Sequence, residues 1–186
     1  KQITIVIRVN EGKLYRTAEV VIEGNQLFPE SEIWGQLEML PGEVYSQVHL
    51  QNDVDNVRRY YFERGYINAL IVPEVDFNKT TGRVDIRYTL TEGDLYFVDK
   101  IQIRGNTKTK DIVIRRELRI RPGERFDGEK LEYSKQRLNN LGYFEEVTYE
   151  TEPGTAPDKR DVVFRVKEKQ TGEISFGAGI SSIDQF

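Results

Sequence analysis

The sequence predicts an α+β chain built from two tandem copies of one β-α-α-β-β unit, and three observations carry that prediction. The stretch NEGKLYRTAEVVIEGN at positions 10–25 returns as TEGDLYFVDKIQIRGN at 91–106, with Gly12, Tyr15 and Asn25 matched by Gly93, Tyr96 and Asn106 at a constant shift of 81. Pro41-Gly42-Glu43 returns at the same shift as Pro122-Gly123-Glu124. Between these landmarks apolar residues either alternate, as strands require, or recur at steps of three and four, as helices require.

In chain order, Ile3, Ile5, Ile7 and Val9 alternate and run into Asn10-Glu11-Gly12, the ending repeated at Thr91-Glu92-Gly93. No helices precede this strand, so residues 1–12 read as the last strand of a preceding unit, and the chain as a fragment or processed form of a longer array. The first complete unit then spans 13–93 and the second 94–169. Each opens with a strand, inward at Val20 and Ile22 or at Ile101 and Ile103, closed by a Gly-Asn turn. A first helix is expected from Ser31 to Leu40 with Ile33 and Leu37 inward, and again from Thr109 to Ile120 with Ile114 and Leu118 inward; Pro41 and Pro122 stop it.

Ser46 and Asp127 are expected to cap the second helix, because each side chain can accept from a free amide of the first turn. Val54, Val57, Tyr61 and Arg64 share the spacing of Leu131, Ser134, Leu138 and Leu141 at a shift of 77. The first copy is therefore expected to carry about one extra helical turn ahead of that face. Two strands follow. Val84, Ile86, Tyr88 and Leu90 alternate with polar neighbours, as do Val162, Phe164 and Val166, so each sheet should have one buried and one wetter face.

Composition narrows the function. A net charge of -4 gives no broad pull toward nucleic acid or anionic lipid. No apolar run approaches the ~18 residues of a spanning helix. With no Cys there are no disulfides or thiolate metal sites. The sole histidine, His49, corresponds to Lys130 and reads as a surface or capping residue. Glu145-Glu146 reads as a solvated strand end, and FGAG at 176–179 lacks a phosphate-binding Lys and a following helix. Arg58-Arg59-Tyr60-Tyr61 interleaves cations with aromatics, but on a helix whose Val54, Val57 and Tyr61 face inward the arginines become a solvated flank. No enzyme, cofactor, metal or nucleic-acid partner is expected.

The element order, the Gly-Asn turns, the Pro-Gly-Glu between helices, Arg64-Gly65-Tyr66 with Leu141-Gly142-Tyr143-Phe144, and the Glu-Gly joints together resemble POTRA (polypeptide-transport-associated) repeats over about residues 13–169. Lys169-Gln170-Thr171-Gly172 and the tail ISFGAGISSIDQF resemble the junction at which the last POTRA of a BamA-type outer-membrane assembly factor enters its β-barrel. Ile174, Phe176, Ala178 and Ile180 alternate as in a lipid-facing strand. Residues 170–186 are thus expected to be the linker and start of that strand, disordered without neighbouring strands.

The resemblance implies a three-stranded mixed sheet packed on two helices, with the second strand of each unit at the sheet edge. It implies a periplasmic location at the outer membrane and two kinds of partner: unfolded outer-membrane protein precursors, bound by β-augmentation, and accessory lipoproteins. The edge residues are Glu145, Glu146, Val147, Thr148, Tyr149, Glu150 and Thr151 in the second unit and Asn68, Leu70 and Val72 in the first. Pro73 interrupts the first edge, so the second is expected to be the better acceptor. Arg115, Arg116 and Glu117 resemble the helix face used for accessory proteins. Glu92 and Gly93 are expected to form a short, restricted hinge in a rodlike pair. Other readings are a secretion transporter, an organellar import channel, or a cell-division scaffold using the same domain.

Overall fold

The computed structural model describes residues 12–170, so the preceding strand expected over 1–12, save Gly12, and the linker and barrel-strand start expected over 170–186, save Gln170, lie outside the described residues. The first unit comprises β1 (Arg16–Glu23), α1 (Glu30–Trp34), α2 (Gln47–Glu63), β2 (Leu70–Asn78) and β3 (Arg83–Thr91). The second comprises β4 (Phe97–Arg104), α3 (Asp111–Arg115), α4 (Gly128–Asn140), β5 (Phe144–Pro153) and β6 (Lys159–Glu168). The sheets are ordered β1-β3-β2 and β4-β6-β5. In each, the first strand pairs parallel to the central third strand and the second pairs antiparallel to it, which makes a mixed sheet.

The alternating strands bury the faces that periodicity assigns. Val84, Ile86, Tyr88 and Leu90 on β3, and Val162, Phe164 and Val166 on β6, enter the two cores. Val163, on the opposite face of β6, is buried as well, which alternation does not foresee. Ser46 and Asp127 cap α2 and α4, accepting from the backbone N–H groups of His49 at 3.3 Å and Lys130 at 3.0 Å. The Gly-Asn turns need glycine. Gly24 and Gly105 have φ of 89° and 93°, and an added Cβ would lie 2.2 Å from the Leu90 carbonyl oxygen or 2.1 Å from that of Val166.

Three features differ from the sequence expectation. The first helices are short, five residues each, because the backbone donors that would continue them are captured elsewhere. Asp53 on α2 accepts from the N–H groups of Glu38 and Met39, and Ser134 on α4 accepts from Arg119 N–H at 2.8 Å. Secondly, the extra turn of α2 lies at its C-terminal end, not ahead of the buried face. Leu50, Asp53 and Val57 match Leu131, Ser134 and Leu138 in burial at the unbroken shift of 81, and only beyond Val57 does the shift change. Thirdly, β1 and β4 carry bulges between Thr17 and Val20 and between Val98 and Ile101. An aspartate on each central strand holds the irregularity: Asp85 accepts from Glu19 N–H at 3.0 Å, and Asp161 from Lys100 N–H at 3.1 Å.

Candidate functional site

A three-stranded sheet has two edges, and in each unit one is closed by the chain itself. Thr17 N–H donates to Glu43 O, Gly42 N–H to Thr17 O and Tyr45 N–H to Tyr15 O, all within 2.8–2.9 Å. The second unit repeats this, with Val98 donating to Glu124, Gly123 to Val98 and Phe126 to Tyr96 over the same range. The Pro-Gly-Glu motif is therefore an edge cover for β1 and β4, and the bulges interrupt what remains. Among the described residues the edges of β2 and β5 have no such cover: each strand pairs with its central neighbour on one side only. Their outward backbone groups form a row of donors and acceptors available to an extended chain.

The two open edges differ in chemistry. Pro73 in β2 is paired in register with Tyr88, within a ladder that runs without interruption from Leu70 to Asn78, so its missing N–H faces outward. The corresponding pair in the second unit is Tyr149 with Phe164. The amides of Tyr149, and two residues either side of it those of Val147 and Thr151, therefore point to the open edge. Pro153, at the end of β5, has the same parity. All seven residues from Glu145 to Thr151 lie in β5, with Glu145 at a bulge between Phe144 and Glu146. Val147 is buried, and the Tyr149 hydroxyl donates to Glu132 at 2.7 Å; burial, then that carboxylate, pushes the phenol pKa up.

In the first unit Leu70 and Val72 lie in β2 and are exposed on the outer sheet face. Asn68 does not belong to the strand. It precedes β2, and its side-chain amide donates to the Tyr96 hydroxyl at 2.8 Å, so it contributes to the joint between units.

Glu92 does more than mark that joint. Its carboxylate accepts from Gln26 N–H at 3.0 Å, Leu27 N–H at 3.1 Å and the Tyr61 hydroxyl at 2.6 Å, which ties the end of β3 to the turn after β1. Glu168 repeats the clamp on Thr107 Oγ1 at 2.6 Å and on the N–H groups of Lys108 and Thr109 at 3.0 and 2.6 Å. These donors, the Thr107 hydroxyl first, hold the Glu168 pKa at about 2, below its ordinary 4.5. A carboxylate with a depressed folded pKa contributes stability above its unfolded pKa and loses it as the pH falls toward the folded value. Glu168→Gln should therefore destabilise the second unit at neutral pH, with the gap from wild type closing between pH 4.5 and about 2. Amide exchange in β4 and β6, followed across that range, checks this.

On the helix face expected to meet accessory proteins, Arg115 donates to Asp111 and to the Ile101 carbonyl at 3.2 Å, so it is held against β4. Glu117 accepts from Arg137 Nε at 3.0 Å and Arg116 Nε at 3.3 Å, and the Arg137 bond first holds its pKa below the usual carboxylate range. Arg116 is the most exposed of the three. His49 is a half-exposed helix-start residue with Nε2 3.9 Å from Glu38. Among the described residues no three metal-capable side chains cluster, and no helix is long and apolar enough to cross a membrane.

Comparison with known proteins agrees with this architecture. The family model described as POTRA, surface antigen variable number repeat, matches residues 15–93 and 96–169. An outer membrane protein assembly factor BamA from Neisseria meningitidis serogroup B is 35% identical over 179 residues, covering 95% of this chain and 22% of the relative. A putative outer membrane protein assembly factor from Treponema pallidum is 30% identical over 183 residues, covering 98% of this chain and again 22% of the relative. The chain thus spans about a fifth of these relatives. A crystal structure of the BamA POTRA3-5 region from Haemophilus influenzae superposes with a TM-score of 0.73 at 25% identity, over 83% of this chain and 61% of that one.

Proposed function

The chain belongs to the POTRA family, as repeats of the BamA type, and from that premise we propose that it works at the periplasmic face of an outer membrane, offering the β5 edge to unfolded outer-membrane protein precursors. One observation carries this reading: each unit covers one sheet edge with its own Pro-Gly-Glu segment and, among the described residues, leaves the other uncovered. Recognition through backbone groups suits clients that share strand-forming character and no common sequence. Exposed Arg116, beside the paired Glu117, is the group best placed to meet an accessory lipoprotein. Glu92, whose carboxylate forms the clamp, and Gly93 set the first unit against the second just ahead of Tyr96.

Binding an extended outer-membrane-protein peptide to the full chain should shift the backbone amides of Glu145–Thr151. Absence of any shift there at saturating peptide rejects the proposal. Thr151→Pro removes one outward donor at an exposed position that already tolerates the Pro153 parity, and should weaken binding about fivefold, one net hydrogen bond being worth about 1 kcal/mol. Pro73→Val supplies the missing donor to β2 and should strengthen that weaker edge by a similar factor. Titration of both variants against one peptide reads the pair.

A further inference from the structure

A cleft of about 380 Å³ opens at the far end of the second unit, between the turn after β4, the start of α3 and the end of β6. Lys108, Lys110, Arg116 and Lys169 line it together with a single carboxylate, Glu168, whose oxygens are occupied by the Thr107 hydroxyl and the Lys108 and Thr109 amides. None of the three lysines forms a side-chain ion pair or hydrogen bond among the described residues. Arg116 is paired with Glu117, so on a chain of net charge -4 the three lysines are the local excess of unpaired cations. Tyr143, 47% exposed, stands in the lining, and Ile112, 68% exposed, lies on α3 next in sequence to Val113, which lines the cleft.

We propose that this cleft rests on an anionic phospholipid surface, with the lysines among the headgroups and Tyr143 and Ile112 at the acyl boundary. Cations beside exposed aromatic and aliphatic groups match a lipid interface better than a purely ionic ligand, which would leave Ile112 and Tyr143 in water. Placement agrees. The chain leaves the sheet here, Lys169 N–H donating to Tyr143 O at 2.9 Å, and the sequence beyond carries the alternation Ile174, Phe176, Ala178, Ile180. The proposal rests on the outer-membrane reading for its location, but not on client binding by β5.

The test is co-sedimentation of the full 186-residue chain with vesicles of phosphatidylethanolamine and phosphatidylglycerol, against vesicles of phosphatidylcholine alone. Wild type should prefer the anionic vesicles by roughly tenfold or more at low salt, and Lys108→Glu/Lys110→Glu/Lys169→Glu should abolish the preference. An unchanged amide spectrum for the buried strands verifies that the variant folds. Tyr143→Ser/Ile112→Ser should weaken vesicle binding while leaving its salt dependence in place. Equal binding to both vesicle types, or persistence of binding in the triple lysine variant, overturns the proposal. So does poly-glutamate or glycerol phosphate binding as tightly as vesicles, since the surface would then serve an acidic protein or a free anion. Loss of the β5 peptide response with vesicle binding intact would instead remove the client reading alone.

Discussion

Asp53→Ala is expected to destabilise the first unit by about 3–5 kcal/mol. Asp53 is fully buried and accepts from the Glu38 and Met39 amides and from the Tyr88 hydroxyl. Removing it strands two backbone donors and a phenol inside the core, each costing about 1–3 kcal/mol when unsatisfied. Burial, and then the hydrogen bond to Asp53, already pushes the Tyr88 pKa upward, so the phenol stays neutral and acts as donor at every ordinary pH. The second unit shows the alternative solution. Ser134 replaces the carboxylate, accepting from Arg119 N–H and donating to Lys130 O at 2.6 Å, and Phe164 stands where Tyr88 would. Exchanging both partners together, Asp53→Ser with Tyr88→Phe, should therefore cost less than about 2 kcal/mol, far below the sum of the single changes. The sole tryptophan, Trp34, packs against the first core, so its fluorescence in denaturant follows this unit alone. Additive single and double variants would show that the serine solution does not transfer.

That pair also marks the limit of what periodicity reveals. Val84 to Leu90 and Val162 to Val166 were legible because a strand repeats every two residues and one face must leave water. Ser46 and Asp127 were legible because a capping side chain acts on its own neighbours. Asp53, Asp85 and Glu92 act on backbone 14–66 residues away, and no local spacing announces such a bond. A trace existed: Glu92 and Glu168 recur at a fixed interval, but the recurrence reads equally well as a joint marker. The position of the added turn in α2 was misplaced for a related reason. Helical spacings of three and four recur at shifts of both 77 and 81, and only the capture of Glu38 N–H by Asp53 and Arg119 N–H by Ser134 fixes which is structural. The open edge of β5 became legible through family resemblance, whereas its cover on the opposite side emerged from the Pro-Gly-Glu hydrogen bonds.

Gly128→Leu is expected to loosen the two units from each other while leaving the second unit folded. The added turn of α2 brings Phe62 onto the second core, where its ring lies 5.2 Å from that of Phe126 and packs over the first residue of α4. A Cβ on Gly128 would sit 2.1 Å from Phe62 Cδ1, so any side chain there drives the ring out of its seat. The backbone is no obstacle, because Gly128 is helical and leucine favours a helix over glycine by up to about 1 kcal/mol. Local stability should hold or rise while the contact is lost, and that combination separates a joint effect from misfolding. Phe62→Ala should loosen the joint in the same way, forfeiting roughly 1.5–3 kcal/mol of apolar burial. The bonds from Tyr96 N–H to Gly65 O at 3.0 Å and from Asn68 to the Tyr96 hydroxyl remain in both variants, so bending should widen without becoming free. Residual dipolar couplings give the measurement. One alignment tensor should fit both units of the wild type, and two should be needed for either variant. A single tensor fitting all three proteins would mean that the Glu92-Gly93 connection and the bonds to Tyr96 hold the units without Phe62, which then merely fills space.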